Sequence, residues 1–248
     1  MPTARSKLKE KLDAEVKKRN HADELSALRA DPLMVARRYK DEYIALVCAL
    51  FAYGNAKKIV AFLESLDFSL LDQEEKEIRQ KCEGLYYRFQ NTRDVSELFI
   101  TLSRLKKEQT LEDLFLKGYR KNRNVLEGVF TVLDAMKAVN SYESQGYLFL
   151  SGTKHSKGAY KRWMMFLRWM VRRDHLDMGL WHHVSAADLL LPLDTHTFKV
   201  GQKLGLLKRK SYDLKAVYEI TEALRALDPQ DPVKYDFALY RLGQEKLL

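Results

Sequence analysis

A chain of 248 residues with 46% hydrophobic content is long enough for one large or two small domains, and a folded enzyme is within its reach. Lys and Arg number 43 against 34 Asp and Glu, and the net charge of +9 points to a polyanionic partner, nucleic acid first and an anionic membrane surface second. No apolar run approaches the ~20 residues of a membrane span, the first residues lack the hydrophobic segment of a secretory signal, and Cys48 and Cys82 make neither a disulfide framework nor a metal-ligand spacing. A cytoplasmic, nucleoid-associated protein that does not enter membranes is therefore expected, with both thiols reduced and packed.

Five prolines, eleven glycines and no Asn-Gly or Asp-Gly turn predict an all-α protein. Residues 1–30 read as a charged N-terminal segment, either a solvated helix from Lys7 to Asn20 or a mobile basic arm, ahead of a helical domain over 31–248. Asp31-Pro32 starts a helix with a break near Tyr39 to Asp41, and "IALVCALFAY" is apolar all round and therefore core. Amphipathic helices are predicted over 56–65, 73–88, 94–108, 111–117 and 124–137, and "SYESQGYLFLSGTKHSKGAY" reads as an irregular connection. A Trp-rich stretch then leads to a helix opened by Asp194 in "LPLDTHTFKVGQKLGLL", where the aspartate has an ordinary job as N-cap. A last capped helix comes after the paired Asp-Pro turns of "DPQDPVKYDFALYRLGQ".

The helix within "GAYKRWMMFLRWMVRRD" is the most unusual. From Lys157 onward, Lys161, Arg162, Arg168, Arg172 and Arg173 all appear before the first acid, Asp174. At 100° per residue Lys161, Met165, Arg168 and Arg172 share a face opposite Trp163, Phe166 and Met170, which predicts a basic stripe for phosphate; the alternatives are a merely solvated face, or arginines paired with buried or neighbouring carboxylates such as Asp174 or Asp177. A lysine backed by hydrophobic mass has a second use, because desolvation and neighbouring cations favour the neutral amine, a nucleophile able to form a Schiff base with a sugar carbon.

Together "SKGAYKRWMMFLRWM" and "LPLDTHTFKVGQKLGLL" resemble the functional core of the helix-hairpin-helix DNA glycosylase superfamily, which includes endonuclease III and the 8-oxoguanine glycosylases. The likeness runs from about Glu42 to Gly243. It is greatest to a bacterial branch marked by "KRWMMFLRWMVR" and "DPVKYDFALYRLG", with the Lys161 to Asp194 spacing of the archaeal 8-oxoguanine enzymes. The resemblance implies a two-lobed all-α fold with a cleft between lobes, one lobe roughly 41–140 and the other 141–248 with N-terminal elements. It also implies Lys161 as nucleophile, Asp194 as its electrostatic or proton-transfer partner, and Asn55 as the residue that fills the gap left by an extruded base. Lys157, Arg162, Arg168 and Arg172 would hold the backbone, and one of Trp163, Phe166, Trp169 or Trp181 would stack on the base. The implied activity is base excision with strand cleavage at an oxidised base, 8-oxoguanine first and oxidised pyrimidines second, by a monomer acting on damaged duplex DNA. The superfamily's Leu-Pro-Gly-Val-Gly hairpin is replaced here by "GTKHSKGAYK".

No cofactor is expected, since the superfamily's four-cysteine iron–sulfur motif is missing. Nor is a metal: His182 and His183 are adjacent and cannot share a helix face, and His175 and His196 lack a partner at i+4. A DNA- or RNA-binding module without chemistry is the rival reading.

Overall fold

The computed structural model describes residues 3–26 and 28–245. Among them the protein is all-helical, with thirteen α-helices, four short 3-10 turns and no strand. It forms two compact units, one built from the chain up to Arg29 together with Lys157 onward, the other from Ala30–Ser156.

The N-terminal segment takes the helical form as α1 (Ala4–Arg19), capped by the Thr3 side chain. Its anchors are few but deep. Leu12 is fully buried, and Arg19, 2% exposed, sends two nitrogens to the Glu245 carboxylate at 2.8 and 2.6 Å. Glu24 is buried with it, 2.8 Å from Arg241 and 2.6 Å from Arg29. A segment with little apolar content is thus held to the C-terminal helix by ion pairs.

The Ala30–Ser156 unit opens with α2 (Leu33–Tyr39), which ends where Lys40 turns left-handed, and α3 (Glu42–Leu50), capped by Asp41. Tyr43 through Leu50 are all buried, as the unbroken apolar run predicts. Next come α4 (Ala56–Glu64), α5 (Glu75–Lys81), α6 (Thr92–Glu108), α7 (Leu111–Tyr119), α8 (Val125–Val139) and α9 (Gln145–Ser151). The long α6 is central, touching α5, α8 and α9, and begins in a capping box in which the Asn91 and Asp94 side chains each accept from the other's backbone N–H at 3.0 Å. Close crossing of α7 and α8 depends on glycine, since a Cβ at Gly118 would stand 2.2 Å from the Glu127 carbonyl oxygen.

Two expectations change here. The helix predicted over 73–88 stops at Lys81, because Gly84 (φ 78°) and Arg88 (φ 54°) bend the chain out of helix. The expected irregular connection contains α9, capped by Ser144 and bound to α6 through Tyr147 and Thr101, whose hydroxyls are 2.8 Å apart. Residues up to Ser156 belong to this unit, whereas the lobe boundary implied by the resemblance lay near 140.

The other unit is completed by α10 (Lys161–Val171), α11 (Thr195–Lys203), α12 (Leu214–Arg225) and α13 (Asp236–Gln244). The Trp-rich stretch after α10 folds back on it, Met178 and Gly179 donating to the Trp169 carbonyl and Trp181 to that of Met170, which satisfies acceptors a helix end leaves open. Helices α11 and α13 pack together, and α1 rests on α13 and the 3-10 turn Pro232–Tyr235. Cys48 and Cys82 are free and buried, and burial pushes the Cys82 thiol up to about 11. No helix among the described residues is long and apolar enough to cross a membrane.

Candidate functional site

Lys161 is the first residue of α10 and Asp194 the cap of α11, so both stand at helix starts in the same unit. Asp194 Oδ1 accepts from the Thr197 backbone N–H at 2.7 Å, which makes the capping role real. That bond occupies one carboxylate oxygen. Lys161 is half-buried, with Nζ 3.4 Å from the sulfur of Met165 one turn on. A cation at a helix N-terminus reverses the usual placement of lysine in the last turn, where the dipole favours it. The residue before it is also unusual: Tyr160 caps α10 in the left-handed region (φ 47°, ψ 29°), which carries strain for a non-glycine residue and is often kept where function needs it.

A third carboxylate joins this pair. Asp236, first residue of α13 and 5% exposed, accepts from Arg168 Nη1 at 2.5 Å. Burial pushes its carboxyl up to about 6 against the pull of Arg168, and the Asp194 charge raises it further while the Lys161 charge lowers it. The sequence reading missed Asp236, whose only local signal is its place after Asp-Pro.

Arg168 and Arg172 require correction. The wheel puts them on the face of Lys161, but that face is covered: the side chains are 6% and 9% exposed. Arg168 binds Asp177 at 3.1 Å as well as Asp236, and Arg172 binds Asp174, Asp177 and Asp231 at 2.9, 2.5 and 3.0 Å. Guanidinium groups saturated by buried carboxylates do not grip phosphate, so the stripe is a folded-in ionic core. Within it, burial drives Asp177 upward despite the two arginines. Burial acts on Asp174 in the same sense, but Arg172 and the N–H groups of Asp177 and Leu176 win and hold it below its ordinary value.

The four aromatic candidates are corrected in the same way. Trp163, Phe166, Trp169 and Trp181 are 3%, 1%, 0% and 3% exposed, and Phe166 meets Trp181 edge to face at 5.4 Å. They are core, with no ring face open to a base. Lys157 is exposed and Arg162 half-buried beside Lys161, so these two keep access to solvent.

Asn55 belongs to the other unit. It is exposed and caps α4, its side chain accepting from Lys58 N–H at 3.2 Å. Beside it lies a feature that sequence reading passed over by running a helix through it. Tyr87 and Gln90 exchange backbone hydrogen bonds at 2.9 Å, leaving Arg88 and Phe89 at the tip of a tight turn. Phe89 is 62% and Phe149 44% exposed, their rings 5.4 Å apart, and Arg88 lies 5.4 Å from the Phe89 ring and 5.5 Å from that of Tyr53. Gly54 turns the chain at φ 108°, a conformation that residues with a side chain rarely adopt. The missed signal was Gly84, a helix breaker inside the presumed helix.

Among the described residues no group of three or more His, Cys, Asp or Glu is placed to hold a metal ion. Residues 31–245 match the family model described as "Protein of unknown function (DUF2400)", and the chain belongs to that family. Neither the curated proteins nor the solved structures give a match. Helix α1 lies outside the matched residues.

Proposed function

We propose that the protein is a DNA glycosylase with associated lyase activity, of helix-hairpin-helix type with the two units as its lobes, acting on an oxidised base with 8-oxoguanine the first candidate. The observation that carries the reading is that one unit holds both helix starts, Lys161 opening α10 behind the left-handed Tyr160 and Asp194 capping α11. In this chemistry the neutral Lys161 amine attacks the sugar carbon C1′ and the bond to the base breaks. The electron pair leaves with the base, which takes up a proton, and the opened sugar becomes an imine on Nζ. Loss of a proton from C2′ then expels the 3′ phosphate, and water hydrolyses the imine to restore the amine. Asp194 supplies negative charge where positive charge develops on the sugar, using the oxygen the cap leaves over.

Asp194→Asn is expected to slow base release by on the order of 10²-fold while the protein melts as wild type, because asparagine caps nearly as well. Single-turnover rates and a melting curve on the same preparation check this. A near wild-type rate would reduce Asp194 to a cap.

The exposed tip of Arg88, Phe89 and Phe149 supports the nucleic-acid part of the proposal independently, since rings and a guanidinium exposed together are a surface on which bases stack. It equally favours the second reading, a nucleic-acid-binding module without chemistry. Phe89→Ala should weaken duplex binding about tenfold and leave stability unchanged. Borohydride reduction separates the two readings, for only an imine becomes a permanent crosslink to a lesion-bearing oligonucleotide.

A further inference from the structure

Two acids of helix α1, Asp13 and Glu15, are held by partners, while several of its lysines are exposed. Asp13 accepts from Tyr235 and lies 3.0 Å from Lys234, and Glu15 lies 3.6 Å from the Arg19 guanidinium. Leu12 and Arg19 are buried, with Leu8 and Val16 half-buried on the same side. About 115° round the helix from that side, Lys7, Lys11 and Lys18 are exposed and none of them forms a salt bridge among the described residues. At 100° and 1.5 Å per residue they lie within about 40° of one another over about 16 Å of axis. Exposed Glu10 lies about 60° from the Lys7 edge of this line, and half-buried Glu15, held by Arg19, about 40° from the Lys11 edge.

We propose that this lysine face is a contact surface for the phosphate backbone of duplex DNA, additional to the residues assigned above. Over about 16 Å B-DNA presents about ten negative charges, so three fixed cations meet a continuous target. The spacing is held by folded structure: Leu12, the Arg19–Glu245 pair and the Tyr235–Asp13 bond fasten the helix from beneath. Charge complementarity also selects among polyanions. An interfacial membrane helix needs its apolar side outward, and here that side is buried, leaving charged groups and alanines such as Ala4 and Ala14 to face a lipid surface. Because α1 lies outside the family match, this surface is an addition to what the family model covers. The inference shares the nucleic-acid partner of the proposed function but none of its chemistry.

The test is the salt dependence of binding to an undamaged duplex, measured on the full chain. Lys7→Gln, Lys11→Gln and Lys18→Gln combined should flatten the slope of log affinity against log salt by between about 2 and 3, about 0.9 for each phosphate no longer neutralised. The matching Lys→Arg triple should keep the wild-type slope. A control that removes equal charge, Lys76→Gln, Lys81→Gln and Lys121→Gln, all exposed on the other unit, should leave the slope unchanged. An unchanged slope in the first triple, or equal flattening in both Gln triples, overturns the proposal. So does a defect seen with phosphatidylserine vesicles and not with DNA. Wild-type protein that shows the α1 effect but traps no imine keeps this surface and sinks the glycosylase reading; trapping without the α1 effect does the reverse.

Discussion

Lys161→Gln is expected to abolish borohydride trapping and to slow base release by on the order of 10⁴-fold or more, with duplex affinity changed only several-fold. The size comes from its role: a covalent step loses its nucleophile, and an uncharged amide cannot form an imine. Binding survives because one cation among many is removed. The helix survives too, since glutamine is a good helix former and the Lys161 side chain is only half-buried at the first position of α10. Trapping that persists in Lys161→Gln and disappears in Lys157→Gln would move the nucleophile to the exposed lysine just upstream. Trapping and binding abolished together would mean that Lys161 holds DNA and performs no chemistry.

The second large effect is on stability. Arg168→Met should cost about 3–5 kcal/mol near pH 8, because it leaves Asp236 and Asp177 buried without the guanidinium they share. The pH dependence identifies the cause. In the unfolded chain Asp236 titrates near the ordinary 3.9, and in the folded protein burial raises it to about 6. The folded state thus holds the proton more tightly, and this group lowers wild-type stability as pH rises from about 4 to about 6, with no further change above. Removing Arg168 removes a force that favours the ionised form, so protonation extends to higher pH in the variant. The deficit against wild type should then be greatest near pH 8 and shrink towards pH 5, where Asp236 takes up a proton. Asp174, held low by Arg172, stays ionised throughout that range. Urea unfolding at pH 5 and pH 8 measures the difference. An equal deficit at both values would assign the loss to packing of the side chain against Phe237. The salt slope of DNA binding should not move, in keeping with the burial of Arg168.

The features legible in the sequence were local ones. The break near Tyr39 to Asp41, the apolar run of α3 and the Asp194 cap of α11 each rest on a few neighbouring residues, and the structure has them all. Helix α9 escaped because seven residues in a Ser- and Gly-rich context show too little periodicity, and α12 went unread although Asp213 caps it. The wheel for α10 placed Arg168 and Arg172 on one face correctly but could not say what covers it. Asp174 and Asp177, near in sequence, were legible as possible partners and are partners in the structure, whereas Asp231 and Asp236 arrive from 59 and 68 residues away. The same distance hid Asp236 from the candidate site. Pairings of that kind depend on tertiary folding, and no local pattern of charge reports them.

The nested order of the two units has a consequence for synthesis. Ala30–Ser156 is continuous and can acquire its core while the ribosome is still translating the C-terminal helices, but Arg19 and Glu24 must wait for Glu245 and Arg241. At about 5–20 residues per second that delay lasts on the order of ten seconds or more. For that interval α1 is a nascent charged peptide with its buried partners not yet made. Its scarcity of apolar residues, which made it hard to read as part of a fold, keeps the waiting segment from being a sticky one.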